Sequence, residues 1–141
     1  NNFIINNTKP IVIDDYGHHP TEISSTLKTI NELYPDKKII MIFQPHRFSR
    51  TKAYWRSFIK VFKLIDHIIL LPTYSAGEKN NSYDSSFLYH KISSKNKLLL
   101  KSTTKINDIL QETNFDNSVL VLQGAGDIKN ITNLLKKKKC S

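Results

Sequence analysis

The sequence predicts an α/β domain, doubly wound around a mostly parallel sheet, with a short antiparallel strand at its N-terminal edge. Three observations carry that prediction. Short, β-branched apolar runs alternate along the chain with amphipathic stretches of helical period. The runs are nearly continuous in apolar residues, as strands covered on both faces must be. The four glycines, Gly17, Gly77, Gly124 and Gly126, all fall beyond such runs, where the chain has to turn.

Strands are expected at 11–13, 39–43, 68–71, 98–100 and 119–122. A further one at 3–5 would return through Asn6-Asn7-Thr8 and pair with the first of these. Pro20 suits the first turn of a helix over 20–34, with Ile23, Leu27 and Ile30 on one face. The stretch 51–64 carries Tyr54, Phe58 and Val61 at the same spacing, and Trp55, Phe58 and Phe62 read as core. Shorter helices are expected at 85–92 and 104–112. A last one follows Asp127, with Ile128, Ile131 and Leu135 facing inward. Repeated strand–helix units imply right-handed crossovers.

Composition narrows the functional classes. At 141 residues and 39% apolar content the chain has the size and core of one domain, expected to span 1–141. No apolar run is long enough for a membrane span, and the start has no basic segment ahead of a long apolar stretch. The single cysteine, Cys140, allows no internal disulfide, which fits a reducing, cytoplasmic compartment. The net charge of +9 would permit nucleic-acid binding, yet the lysines are dispersed apart from the run 136–139, and no ladder of aromatic and basic residues accompanies them. Neither nucleic acid nor membrane is therefore an expected partner.

Arginine is more telling. Against eighteen lysines stand only Arg47, Arg50 and Arg56. Where lysine is the default cation, arginine points to its planar fork, which grips a carboxylate or phosphate through two parallel hydrogen bonds. Ligands of open α/β sheets bind beyond the carboxyl ends of the strands. The segments there are Asp14-Asp15-Tyr16-Gly17-His18-His19-Pro20, Gln44-Pro45-His46-Arg47-Phe48-Ser49-Arg50-Thr51, Pro72-Thr73-Tyr74-Ser75-Ala76-Gly77-Glu78 and Gln123-Gly124-Ala125-Gly126-Asp127. Three of the five histidines, two of the three arginines and all four glycines thus gather on one edge. That edge is expected to be a polar cleft for an anion. Arg47 and Arg50 stand at a helix entry, whose amides would add partial positive charge. Pairing of the two arginines with surface carboxylates is the competing reading.

Other chemistries fit poorly. His18, His19 and His46 lack a further ligand at zinc spacing, and adjacent histidines point apart. There is no Gly-x-Ser-x-Gly elbow and no Gly-x-x-x-x-Gly-Lys-[Ser/Thr] loop.

The four segments, in this order, resemble motifs of the C-terminal domain of the Mur ligase family, and the resemblance covers nearly the whole chain. It implies a three-domain, ATP-dependent, ADP-forming acid–amino-acid ligase of peptidoglycan synthesis, of which this chain is the domain that closes over ATP. The UDP-sugar and P-loop ATPase domains would lie outside it, and the isolated domain is expected to be inactive. Tyr16-Gly17 favours the branch that joins L-alanine to UDP-N-acetylmuramate through an acyl phosphate. The alternatives are the branch that recycles murein tripeptide, which typically carries Phe-Ala there, and a non-catalytic nucleotide- or anion-binding module.

Carried over residue by residue, the resemblance gives Asp15 the ATP ribose hydroxyls and puts His19 near the nucleotide. Tyr16 and His18 would border the alanine amine and the acyl centre; Arg47 and Arg50, helped by His46, would clamp the alanine carboxylate. Gly124 and Ala125, with 74–78, would line the same pocket. His18, Arg47 and Arg50 are the expected catalytic group. ATP and Mg2+ would be held mainly by the central domain, and no metal by this one.

Overall fold

The computed structural model describes residues 2–4, 11–112 and 114–124, together with Gly126, Ile128, Asn130 and Ile131. Strands β1 (Asn2–Ile4) and β2 (Ile11–Asp15) lead into α1 (Pro20–Leu33), β3 (Lys38–Phe43), α2 (Phe48–Phe62) and β4 (His67–Leu70). There follow α3 (Ser85–Lys91), β5 (Lys97–Leu99), a 3-10 turn (Thr103–Lys105), α4 (Ile106–Glu112) and β6 (Ser118–Gln123). One sheet of order β1-β2-β6-β3-β4-β5 results, parallel throughout except for the antiparallel β1–β2 pair. The N-terminal strand is therefore present, one residue earlier than expected. The final helix, as an element, lies outside the described residues, as does Leu135; Ile128 and Ile131 are both buried.

Because successive side chains of a strand point to opposite faces, each apolar strand feeds two cores. Met41, Phe43, Ile68, Leu70, Val119 and Val121 face α1, α2 and α3, meeting Ile23, Leu27, Phe58, Phe62 and Leu88. Their neighbours Ile40, Ile42, Ile69, Leu71, Leu120 and Leu122 face the other way, onto Ile106, Phe115, Ile128 and Ile131. This two-sided burial is why the strands read as unbroken apolar runs.

The last described strand lies at the sheet's centre. β6 sits between β2 and β3, with Val121 opposite both Ile13 and Met41. The helices connecting β2 to β3 and β5 to β6 pack on opposite faces. Such a reversal opens a crevice at the carboxyl ends of the central strands. The loop after β6 enters that crevice.

Local chemistry sets the helix starts. Pro20 opens α1, the His19 side chain accepts from Thr21 N–H, and Glu22 reaches back to His19 N–H as a capping box. α2 begins at Phe48, ahead of the expected Thr51, because a carboxylate distant in sequence caps it, as described below. Tyr54 departs from the inward stripe drawn for that helix: it is 40% exposed, whereas Phe58 and Val61 are buried. Trp55 is half-buried against the core. No described helix is long and apolar enough to cross a membrane.

Phe58 is 2% exposed and lies against Phe43 and Phe62, at ring separations of 5.5 and 6.0 Å. Phe58→Ala should cost about 3–5 kcal/mol by transfer loss and cavity formation, read from the midpoint of urea unfolding.

Candidate functional site

Four loops meet at the carboxyl edge of β2, β6, β3 and β4, and hydrogen bonds sew them together. Gly124 N–H donates to Asp15 O at 3.0 Å, and Gln44 N–H donates to Gln123 O at 3.0 Å. The loops after β3 and β4 are zipped by Tyr74 N–H to Pro45 O and Arg47 N–H to Tyr74 O, both 2.8 Å. Two buried glutamines complete the seam. Gln44, 1% exposed, donates from Nε2 to Pro72 O at 3.1 Å and accepts Ile128 N–H on Oε1 at 3.1 Å. Gln123, with no exposed surface, donates from Nε2 to Gly17 O. Neither glutamine was among the expected site residues; the available signal was a polar residue ending each of the two most apolar runs, Phe43-Gln44 and Leu122-Gln123.

Within this frame the expected residues come together. The His18 and His46 rings lie 5.5 Å apart, and His46 stacks on Tyr74 at 5.5 Å and 18°. Arg50 Nη1 is 3.3 Å from His46 Nδ1. A guanidinium can only donate, so this nitrogen of His46 accepts and its proton resides on Nε2. His18 is the reverse case: its Nδ1 is 3.2 Å from the Tyr16 carbonyl, which can only accept. Nδ1 therefore carries the proton of neutral His18, and Nε2 keeps a lone pair.

Burial, chiefly, and then the charges of Arg50, His18 and Arg47 hold His46 below its ordinary 6.5, against a weaker pull from Glu78. A folded value below the unfolded one means that the associated stability is complete above pH 6.5 and is lost as pH falls through the lowered value. Charging His46 also removes the acceptor for Arg50. Its ring protons, followed by NMR, should titrate with a midpoint under 6.5, and Arg50→Ala should move that midpoint upward.

Arg47 is exposed and Arg50 half-buried, at the head of α2. Two of the amides there, those of Phe48 and Ser49, already face the Glu78 carboxylate. Ser49 N–H donates to Glu78 Oε1 at 3.1 Å, and Ser49 Oγ–H to Oε2 at 2.6 Å. These bonds, assisted by Phe48 N–H and the Arg47 charge, hold Glu78 below its ordinary range despite some desolvation. Arg47 thus has a carboxylate nearby, whose two oxygens also accept from Ser49.

The remaining residues sit at the margin. Asp15 accepts Gly17 N–H on Oδ1 at 3.0 Å and Thr26 Oγ1–H on Oδ2 at 2.8 Å. Each oxygen retains acceptor capacity, so the carboxylate can take further hydroxyl donors. His19 spends Nδ1 on the α1 cap, and its ring meets Tyr54 edge-on at 4.7 Å. Tyr16 is 50% exposed. The charge of Asp14, above all, raises its phenol over the ordinary 10, with desolvation and a hydrogen bond to the same carboxylate adding to it. Gly124 lies in the seam, while Ala125 falls outside the described residues. Among the described residues no group of three or more His, Cys, Asp or Glu side chains is gathered to hold a metal.

Known proteins resemble this chain in sequence and fold. A family profile described as "Mur ligase, glutamate ligase domain" matches residues 3–126. A UDP-N-acetylmuramate–L-alanine ligase of Vesicomyosocius okutanii is 41% identical over 136 residues, covering 94% of this chain and 29% of the relative. Its counterpart in Francisella philomiragia is 42% identical over 132 residues, covering 93% and 29%. The chain thus spans under a third of the relatives it matches. Among solved structures, the UDP-N-acetylmuramate–alanine ligase of Thermotoga maritima superposes with a TM-score of 0.76 at 26% identity, over 96% of this chain and 28% of that one. A murein peptide ligase of Psychrobacter arcticus shares the fold, with a TM-score of 0.66 at 19% identity, over 96% of this chain and 29% of that one. The expected α/β architecture is that of these neighbours, and the chain belongs to the Mur ligase family as its C-terminal, glutamate ligase domain.

Proposed function

We propose that this domain binds the amino acid and covers the nucleotide in a ligase that joins L-alanine to UDP-N-acetylmuramate. The observation that carries this reading is the cluster of Arg47 and Arg50 with His46, which lies against Arg50, and His18, whose ring lies beside that of His46. Two guanidiniums at one helix head suit a small carboxylate, since an amino acid held by both is fixed in position and direction. His18 Nε2, with its lone pair, is the group suited to take a proton from the amine as it attacks. Tyr16 stands beside it on the same loop.

ATP, bound between this domain and a central P-loop domain, would supply the phosphoryl group that activates the muramate carboxylate as an acyl phosphate. Asp15 fits the ribose hydroxyls, and His19 offers only the outer edge of its ring, because its inner nitrogen caps α1. Mg2+ would be held by the phosphates and the central domain. Gly124 and Ala125 would line the pocket. Closure of this domain over the nucleotide would exclude water from the acyl phosphate, so the isolated domain should turn nothing over.

The names of the relatives and the Tyr16-Gly17 pair support L-alanine ligation over tripeptide recycling. The deciding experiment is phosphate release from ATP by the full-length protein with UDP-N-acetylmuramate and varied amino acid. Turnover with L-alanine and little with murein tripeptide is the expected result. Preference for tripeptide would move the chain to the recycling branch, and ATP binding without turnover would leave a non-catalytic module.

A further inference from the structure

The head of α2 breaks three local rules at once. Arg47, the residue before its first turn, has φ 71° and ψ 140°, a conformation tolerated almost only by glycine. Its side chain makes no capping hydrogen bond, and no acidic residue lies in the first turn. Arg47 and Arg50 place two cations at the positive end of the helix dipole, where anions belong. α1 and α3, by contrast, are capped by their own His19 and Asp84. Such conflicts persist only where surrounding structure over-determines them, and they mark functional sites.

We propose that Glu78 is the positioning residue of the arginine clamp: its carboxylate caps α2 through Ser49 and fixes Arg47 and Arg50 facing the ligand. The carboxylate comes from 29 residues further along the chain and accepts both Ser49 N–H at 3.1 Å and Ser49 Oγ–H at 2.6 Å. A tight turn carries it there: Glu78 N–H donates to Ser75 O at 3.0 Å, with Ala76 and Gly77 at φ 50° and 87°. That turn hangs from Tyr74, whose backbone is tied on both sides of His46. Glu78 thus supplies the negative charge that the helix head lacks. Both of its oxygens accept from Ser49, which anchors the carboxylate at the helix head.

This inference rests on the amino-acid reading of the clamp, and its test separates the two. In the full-length protein, Glu78→Ala should raise the KM for L-alanine roughly tenfold, the size expected for loss of a helix cap, and change kcat less. Glu78→Gln keeps an oxygen for Ser49 N–H but loses the charge, and should restore only part of the affinity. Ser49→Ala, which removes only the hydroxyl bond, should fall between. Hydrogen exchange, which needs no substrate, should quicken over 47–50 in Glu78→Ala and stay unchanged across β3 and β6. Unchanged exchange at 47–50, or a KM within about twofold of the parent, overturns the role of Glu78. A parent protein with no L-alanine-dependent turnover instead counts against the proposed function, and the exchange result then decides the Glu78 contact alone.

Discussion

Arg50→Ala is expected to raise the KM for L-alanine by roughly 10- to 150-fold, about 1.5–3 kcal/mol of charge-assisted hydrogen bonding. Arginine is scarce here: a lysine-rich chain places two of its three arginines within four positions. Arg50 is held by His46 at 3.3 Å and so presents a fixed face. A preorganised donor loses little entropy on binding, and its removal is correspondingly costly. Arg50→Lys should rescue poorly, since an ammonium offers no planar fork and reaches His46 differently. Arg47→Ala should have an effect of the same order. The double variant should show less than the sum, as both arginines would serve one carboxylate. Steady-state kinetics of the full-length protein with varied L-alanine checks all four variants.

Gly124→Ala is expected to cost about 2–3 kcal/mol of stability and lower the thermal midpoint by roughly 6–12 °C. Gly124 has φ 141°, and a Cβ there would stand 2.8 Å from the backbone oxygen of Gln44. That oxygen lies in the seam between central strands and has nowhere to go. Gly126→Ala provides the contrast. Its Cβ would meet Tyr74 ring atoms at 2.7 and 2.8 Å, and a ring can swing where a strand cannot. Swinging breaks the stack on His46, so Gly126→Ala should lose less stability and more activity. Differential scanning calorimetry beside the phosphate-release assay separates the two cases.

The strands were legible because both faces of the sheet are covered, which makes each a run of apolar residues such as Ile39-Ile40-Met41-Ile42-Phe43. Their positions in the sheet were not. Nothing local says that Ser118–Gln123, the last described strand, lies at the centre. Of the site, the histidine, arginine and glycine loops were readable as residue types that a core does not need. The bonds that hold them were not, because each depends on a partner brought by the fold: Glu78 on Ser49, Gln123 on Gly17, Thr26 on Asp15. The start of α2 was misplaced for the same reason. Tyr54 was drawn inward by spacing alone, yet it lies exposed against His19.

A crystal structure of the full-length protein with a non-hydrolysable ATP analogue and L-alanine tests the central claim most directly. The amino-acid carboxylate should lie within about 3 Å of the guanidiniums of Arg47 and Arg50, its amine turned toward His18, and the ribose should rest on Asp15. An L-alanine carboxylate bound away from the head of α2, with both arginines left in solvent, would contradict the account.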